Sequence, residues 1–339
     1  MRDDLGITTK LENGKAYLEF ALPEKIGRLL SALQIEIWEG AEGERLVFHG
    51  EYSSEEADSM TALLLRPHLW DGMRDPYVYL VKAQGRFRSV EYGEKMGGME
   101  KEEKLDPAED ITGEVEMYWR QELTIYDVRV VEKKGILLNE KEFLPHEVVY
   151  RLPPQISDAG TRVEQVRRDL ERLVQMGVNV IRLEGTGTGA EGVNCSEVRT
   201  FYSLCRKRGF LTGDLWIRPE NLPVYRGLPG ETTCQALLAA DGRTLTERYY
   251  YYQAKWSSEP VLYPVLSTLH RQENGLLSLT IYSNQKKVVL YVDGVLFLFQ
   301  SAASGDPEFI FEDIPVAKLP LHLAVEAGNL SISLTVSKI

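Results

Sequence analysis

Gly187, Gly189 and Gly192 fit the spacing G-x-G-x-x-G. They follow the apolar run VNVIRLE and precede a helix-like stretch, NCSEVRTFYSLCRKRG, from Asn194 to Gly209. Glycines at this spacing let a backbone approach a phosphate, and the amides of a following helix can hold it. The motif alone is a weak signal. The dinucleotide fingerprint belongs at the first strand-to-helix turn and needs an acidic residue about 20 positions on, ending a second strand. Asp214 lies farther on, so the loop reads as a strand-end loop and no cofactor is expected. His49, His68, His146, His270 and His322 lack a second ligand at metal spacing, and Cys195, Cys205 and Cys234 are too scattered for a zinc site or a disulfide framework. Cys195 and Cys205 are expected to pack as small apolar groups on one helix. Nothing resembles a nucleophile elbow, so no Ser-His-Asp set is expected.

The elements that would carry these residues change character along the chain. From about Lys10 to Arg88, short runs such as AYLEFAL, IEIWEG and RLVFHGEY alternate apolar and polar positions, the pattern of a β-sandwich. Glu91 to Glu114 loses that period and reads as a charged, acidic surface insertion. Strand character returns in LTIYDVRVV and GILLN. Val163, Val166, Leu170, Leu173 and Val174 then recur at helical spacing within Arg162 to Gln175, and Gly177 ends that helix. VNVIRLEG follows as a buried strand, and the rhythm repeats through CRKRGFLTGDLW, as in a parallel sheet covered by helices. After the tyrosine run Tyr249 to Tyr252 and Pro260, two-residue alternation resumes to the end. The division is 1–133, a β-sandwich with the insertion near 91–114; 134–257, a parallel α/β domain; and 258–339, a second β-sandwich. No internal sequence repeat is found.

Composition narrows the function classes. With 43% hydrophobic residues the chain is globular. Its 39 basic and 51 acidic residues give a net charge of −12, which repels phosphate backbones and anionic lipid. Neither nucleic acid nor membrane is expected as a partner. No run of about 18 apolar residues occurs, and MRDDLGITTK lacks the form of a secretory signal, so a soluble, cytoplasmic protein is expected.

Several stretches, taken in order, resemble glycoside hydrolase family 2, the β-galactosidase and β-glucuronidase group. HLWDGMRDPYVYLV (His68 to Val81) resembles the end of the family's sandwich. KGILLNEKEF (Lys134 to Phe143) is similar to the strand leading into its barrel. VRRDLERLVQMGVNVIRLE resembles the first barrel helix and second strand, and FYSLCRKRGFLTGDLW the next helix and strand. YYYYQAKWSSEPVL looks like the exit from the barrel, and IYSNQKKVVLYVDG is similar to the sandwich beyond it. The resemblance implies a multidomain chain: an immunoglobulin-like β-sandwich, a (β/α) TIM-barrel-like domain and a C-terminal immunoglobulin-like sandwich. GTGTGAEG would lie at the carboxyl end of the second barrel strand, on the face where barrels place their chemistry.

This sequence also departs from the family. Gly185-Thr186 stand where a His-Tyr pair is usual, Arg151-Leu152 where an Arg-His pair opens the barrel, and Gly213-Asp214-Leu215-Trp216 where a Glu is usual. Val148 to Trp256 is less than half of the ~250 residues that a closed barrel needs. The strands that would carry the acid/base and nucleophile glutamates cannot be located, and Asn139-Glu140 reads as an exposed turn. A catalytically inactive pseudo-enzyme or accessory subunit of carbohydrate metabolism is therefore the leading expectation. An active glycosidase is the alternative, with Glu184 and Asp214 at the ends of adjacent strands as its carboxylate pair and Arg182 and Trp216 as substrate contacts. A non-catalytic carbohydrate-binding module is the third reading. Strands near Val148–Leu152, Val178–Glu184 and Phe210–Leu215 should lie parallel in that order, with both helices on one side. Arg218 to Thr246 should wrap as an irregular lid. The remaining exposed edge points to a homo-oligomer or a complementary barrel subunit.

Overall fold

A computed structural model describes residues 5–90, 111–153, 159–184, 195–213, 222–227, 236–303 and 305–338. The chain divides into two compact units, Met1–Phe143 and Leu144–Ile339.

The first unit contains, in order, β1 (Gly6–Glu12), β2 (Lys15–Ala21), the short α1 (Glu24–Gly27), β3 (Leu30–Glu39), β4 (Arg45–Ser53), β5 (Thr61–Leu65), β6 (Tyr79–Val90) and β7 (Ile111–Leu123). They form two antiparallel sheets, β1-β2-β5 and β4-β3-β6-β7. Alternation explains the inner faces. Ala16, Leu18 and Phe20 of β2 and Leu33, Ile35 and Ile37 of β3 all enter one core, while the residues between them turn outward. The end of the charged stretch read as an insertion, from Ile111 to Glu114, is strand, with Glu114 opposite Arg88 in the β6–β7 ladder and Glu116 beyond it opposite Arg86. Opposite charges paired across an outward face satisfy a strand as well as a loop. Residues 91–110 of that stretch lie outside the described residues. A small sheet, β8 (Val128–Val131), β9 (Gly135–Leu138) and β10 (Lys141–Glu142), ends the unit. Asn139 and Glu140 form its tight turn with φ of 50° and 67°.

The second unit opens with β11 (Glu147–Tyr150), α2 (Ala159–Met176), β12 (Val180–Leu183), α3 (Cys195–Lys207) and β13 (Leu211–Thr212), followed by β14 (Val224–Arg226), β15 (Ala236–Leu238) and α4 (Glu247–Trp256). The five strands make one parallel sheet in the order β13-β12-β11-β14-β15. The three strands and two helices expected from sequence are present, parallel and in that order. Val166, Leu170 and Leu173 of α2, Phe201 and Cys205 of α3 and Tyr249 of α4 pack in one core with Val148, Tyr150, Ile181 and Leu183. Arg218 to Thr246 is not simply an irregular lid, since it supplies β14 and β15. Each is three residues long, too short for alternation to reveal.

The chain then forms β16 (Leu262–Arg271), β17 (Leu277–Ser283), β18 (Lys287–Val292), β19 (Val295–Ser301), β20 (Glu308–Ile314), β21 (Leu321–Ala327) and β22 (Leu330–Val336). Their sheets are β16-β17-β20 and β19-β18-β21-β22, which repeats the strand order of the first sandwich. Tyr250 of α4 stacks on Tyr263 at 3.8 Å, and Tyr251 meets Tyr282 edge-on at 5.5 Å, so the tyrosine run fastens the helix to this sandwich.

Candidate functional site at the strand ends

Parallel strands leave their last residues on one rim of the sheet, and loops beyond that rim carry the side chains a site would use. Glu184 extends the ladder beyond β12, its amide donating to the Tyr150 carbonyl at 2.9 Å. Its carboxylate is held by Arg151, the residue after β11. Nε donates to Oε2, and Nη2 to Oε1 at 3.3 Å. Arg151 Nη1 also donates to the Arg226 carbonyl at the end of β14, at 3.3 Å. One guanidinium thus ties the ends of three strands together. Arg151 is mostly buried, whereas the Glu184 side chain remains 46% exposed.

Arg182 lies below the rim. Its register partner is Val149, which places it on the same sheet face as Glu147. Its Nε donates to Glu147 Oε1 at 2.9 Å, and Glu147 is fully buried. The arginine named as a substrate contact is therefore engaged by a buried carboxylate. Asp214, Trp216 and the glycine loop at 185–192 lie outside the described residues.

A second polar group was not anticipated from sequence. Asp169 of α2 is 1% exposed and faces the sheet. Oδ2 accepts from Tyr150 OH at 2.9 Å and from Arg226 Nη2 at 2.6 Å, while Oδ1 accepts from Tyr225 OH at 3.1 Å. Arg172 Nη1 stands 3.7 Å from Oδ1. Burial, reinforced by the Asp169 charge, raises both phenols far above their ordinary range, so they remain protonated donors. This is a buried polar cluster in which both Asp169 oxygens are satisfied, although Arg226 Nε has no hydrogen-bond partner. The sequence did carry a signal for it: Asp169 sits three residues after Val166 and four before Leu173, inside the apolar stripe of α2.

Two cavities accompany these groups. One of 130 Å³ lies between α2 and α3, lined by Leu152, Val166, Phe201 and Leu204 and by the hydrogen-bonded pair Arg162 and Glu197. That volume is below the ~300 Å³ at which small-molecule sites begin. In the first unit, a cleft of 570 Å³ lies along β3, β4, β6 and β7, where Gln34, Glu51, Gln84, Arg86 and Glu116 line it. Among the described residues, no group of three or more His, Cys, Asp and Glu could hold a metal ion, and no helix is long and apolar enough to cross a membrane.

The fold is β-rich and multidomain, and it is similar to those of a solved β-glucuronidase, a β-glycosidase and a glycosyl hydrolase family 2 member. The FMN-binding β-glucuronidase of F. prausnitzii L2-6 superposes with a TM-score of 0.62 at 14% identity, covering 99% of this chain and 74% of that one. A β-glycosidase from Bacteroides vulgatus gives 0.63 at 12% identity, over 99% and 64%. A glycosyl hydrolase family 2 member from Bacteroides cellulosilyticus DSM 14838 gives 0.60 at 12%, over 98% and 63%. This chain thus spans between 63% and 74% of the length of these three. No protein-family model matches the sequence, and no curated protein matches it.

Proposed function

We propose that the chain is a catalytically inactive member of the glycosidase-like group, a pseudo-enzyme or accessory protein of carbohydrate metabolism built on the family 2 scaffold. On this reading 1–133 and 258–339 are immunoglobulin-like sandwiches, and 134–257 is a TIM-barrel-like domain shortened to five strands. The observation that carries the proposal is the clasp between Arg151 and Glu184. Retaining glycosidases need two carboxyl groups about 5 Å apart facing one anomeric carbon. The described carboxylate at this rim instead directs both oxygens at a guanidinium.

The test is hydrolysis of a panel of aryl β-glucuronides and β-galactosides by the purified chain. No turnover is expected. Turnover abolished by both Glu184→Gln and Asp214→Asn would overturn the proposal and establish the glycosidase with an unusual carboxylate pair.

A sugar-binding role without turnover is favoured by one observation, the polar cleft of the first unit. Gln84 and Glu116 of its lining both hydrogen-bond to the hydroxyl of the adjacent Tyr118, Gln84 Nε2 donating to it at 3.1 Å, and Tyr118 is 53% exposed. Exposed aromatic faces edged by amides suit sugar rings. Calorimetric titration with galactosides and glucuronides should give heat that Tyr118→Ala removes. No heat at millimolar ligand would exclude this reading.

A further inference from the structure

A sandwich must protect the outer strands of its sheets, because an unpaired strand invites pairing with another chain. Most outer strands of the C-terminal sandwich are protected. β16 contains Pro264 and ends in His270 and Arg271, and β20 carries Glu308, Glu312 and Asp313. β22 alternates Ser331, Ser333 and Thr335 with its apolar residues. In the first sandwich β4 occupies the slot that β19 occupies in the second, and it carries Arg45, His49 and Glu51.

β19 has one such device only, a bulge at Phe297, where its register on β18 shifts by one residue. Its sequence, VLFLFQS, has no charge and no proline, and its first five residues are all apolar. Val295 is 69% exposed, Leu296 55%, Leu298 41% and Phe299 54%. β18 pairs with one side of the strand only. At its far end the Gln300 side chain donates to the Ile310 carbonyl at 2.5 Å, and among the described residues no strand pairs with the outer edge of Val295 to Phe299. The turn before it, Asp293-Gly294, has φ of 48° and 78°, the geometry of a two-residue hairpin that fixes β19 firmly on β18.

We propose that β19 is a self-association edge: two copies of the chain pair their β19 strands antiparallel about a two-fold axis. The sheet β19-β18-β21-β22 then continues across the axis. Three features select a second copy as the occupant. Antiparallel pairing of one strand with itself is isologous, so a single patch completes the interface. The strand itself lacks charge, and the cation beside it, Lys287 of β18, already lies over the Phe299 ring at 4.1 Å. The area also fits. With about 170–200 Å² for a full side chain of this size, the four exposures present roughly 400 Å² of apolar surface. A stable dimer buries about 800 Å² per partner, of which some 65% is apolar in homodimers, or ~520 Å². The four side chains supply most of that, and half-buried Val289 and Tyr291 of β18 adjoin them.

Light scattering of the full chain across a concentration series should show a dimer. Leu296→Lys/Phe299→Lys should weaken it at least ~100-fold, because like charges would meet across the axis. Leu65→Lys, at a 67% exposed leucine of the first sandwich, should leave it intact. Hydrogen exchange on the unmodified chain provides a measure that needs no variant: alternate amides from Val295 to Phe299 should be protected when concentrated and exchange rapidly on dilution. A monomer at every concentration, a dimer indifferent to the paired lysines, equal sensitivity to Leu65→Lys, or exchange independent of concentration would each overturn the proposal.

Discussion

Asp169→Ala removes the acceptor shared by Tyr150, Tyr225 and Arg226 while leaving all three donors in place. Arg226 has a 4% exposed side chain, and its Nε is already buried without a hydrogen-bond partner, so the cation has little other means of compensation. Breaking a buried ion pair on one side costs about 3–5 kcal/mol, because the remaining charge stays desolvated. Each phenol left without an acceptor adds about 1–3 kcal/mol unless it turns to another group. Taking 3–5 kcal/mol as the net loss, and about 2–4 °C per kcal/mol for a unit of this size, thermal unfolding of the second unit should fall by about 6–20 °C. The assay is circular dichroism or calorimetry of the purified variant. Tyr225→Phe removes one neutral donor and should cost only about 1 kcal/mol. Arg226→Met in the Asp169→Ala background should recover part of the loss, since it removes the stranded charge. A drop below about 2 °C in Asp169→Ala, or no recovery in the double variant, would refute the account of Asp169 as the anchor of this core.

Gly177→Ala should destabilise by more than about 2 kcal/mol, because φ is +87° and a Cβ would run into the Trp256 carbonyl. Gly275→Ala, at φ +84° in open space, should cost only the dihedral term of about 1 kcal/mol, and chemical denaturation measures both. His146 is held below its ordinary pKa, mainly by burial, with its hydrogen bond to the Gly177 carbonyl opposing the shift. The unfolded chain therefore binds the proton more readily. Stability from this site is present above pH ~6.5 and is lost as pH falls through the folded value, a slope that thermal unfolding should show and His146→Gln should flatten. Glu184→Gln should change stability by no more than about 1 kcal/mol, since the carboxylate of its pair with Arg151 is nearly half exposed.

Period carried much of the fold. KAYLEFA sends Ala16, Leu18 and Phe20 to one face whatever its neighbours, and the spacing of Val166, Leu170 and Leu173 leaves α2 one buried stripe. Those signals are local. The contacts at the rim are not: Arg151 and Glu184 lie 33 residues apart, and Arg151 and Arg226 lie 75 apart. Several arginines could have paired with Glu184, Arg182 among them, and strand register alone decides. Register turns Arg182 toward Glu147 and leaves Glu184, two residues on, to Arg151. Asp169 was legible in principle, as a charge inside an apolar stripe. Its partners Tyr225 and Arg226 were not, because they belong to a strand of three residues.

The position of that strand follows from the burial of its neighbour. All four residues of β11, Glu147 to Tyr150, are buried, and a parallel strand closed on both faces is stable only if both of its edges are paired. β12 satisfies one edge. A closed barrel would satisfy the other with its last strand, but the segment after β13 is too short to build a full circuit. Instead Val224 lies opposite Val149, and β15 lies beyond it, so the central strand is paired on both edges. Arg151 then reaches from β11 to Glu184 on one side and to the Arg226 carbonyl on the other, while the Arg226 side chain turns inward to Asp169. Among the described residues, Arg151 and Glu184 are thereby committed to holding the ends of β11, β12 and β14 together.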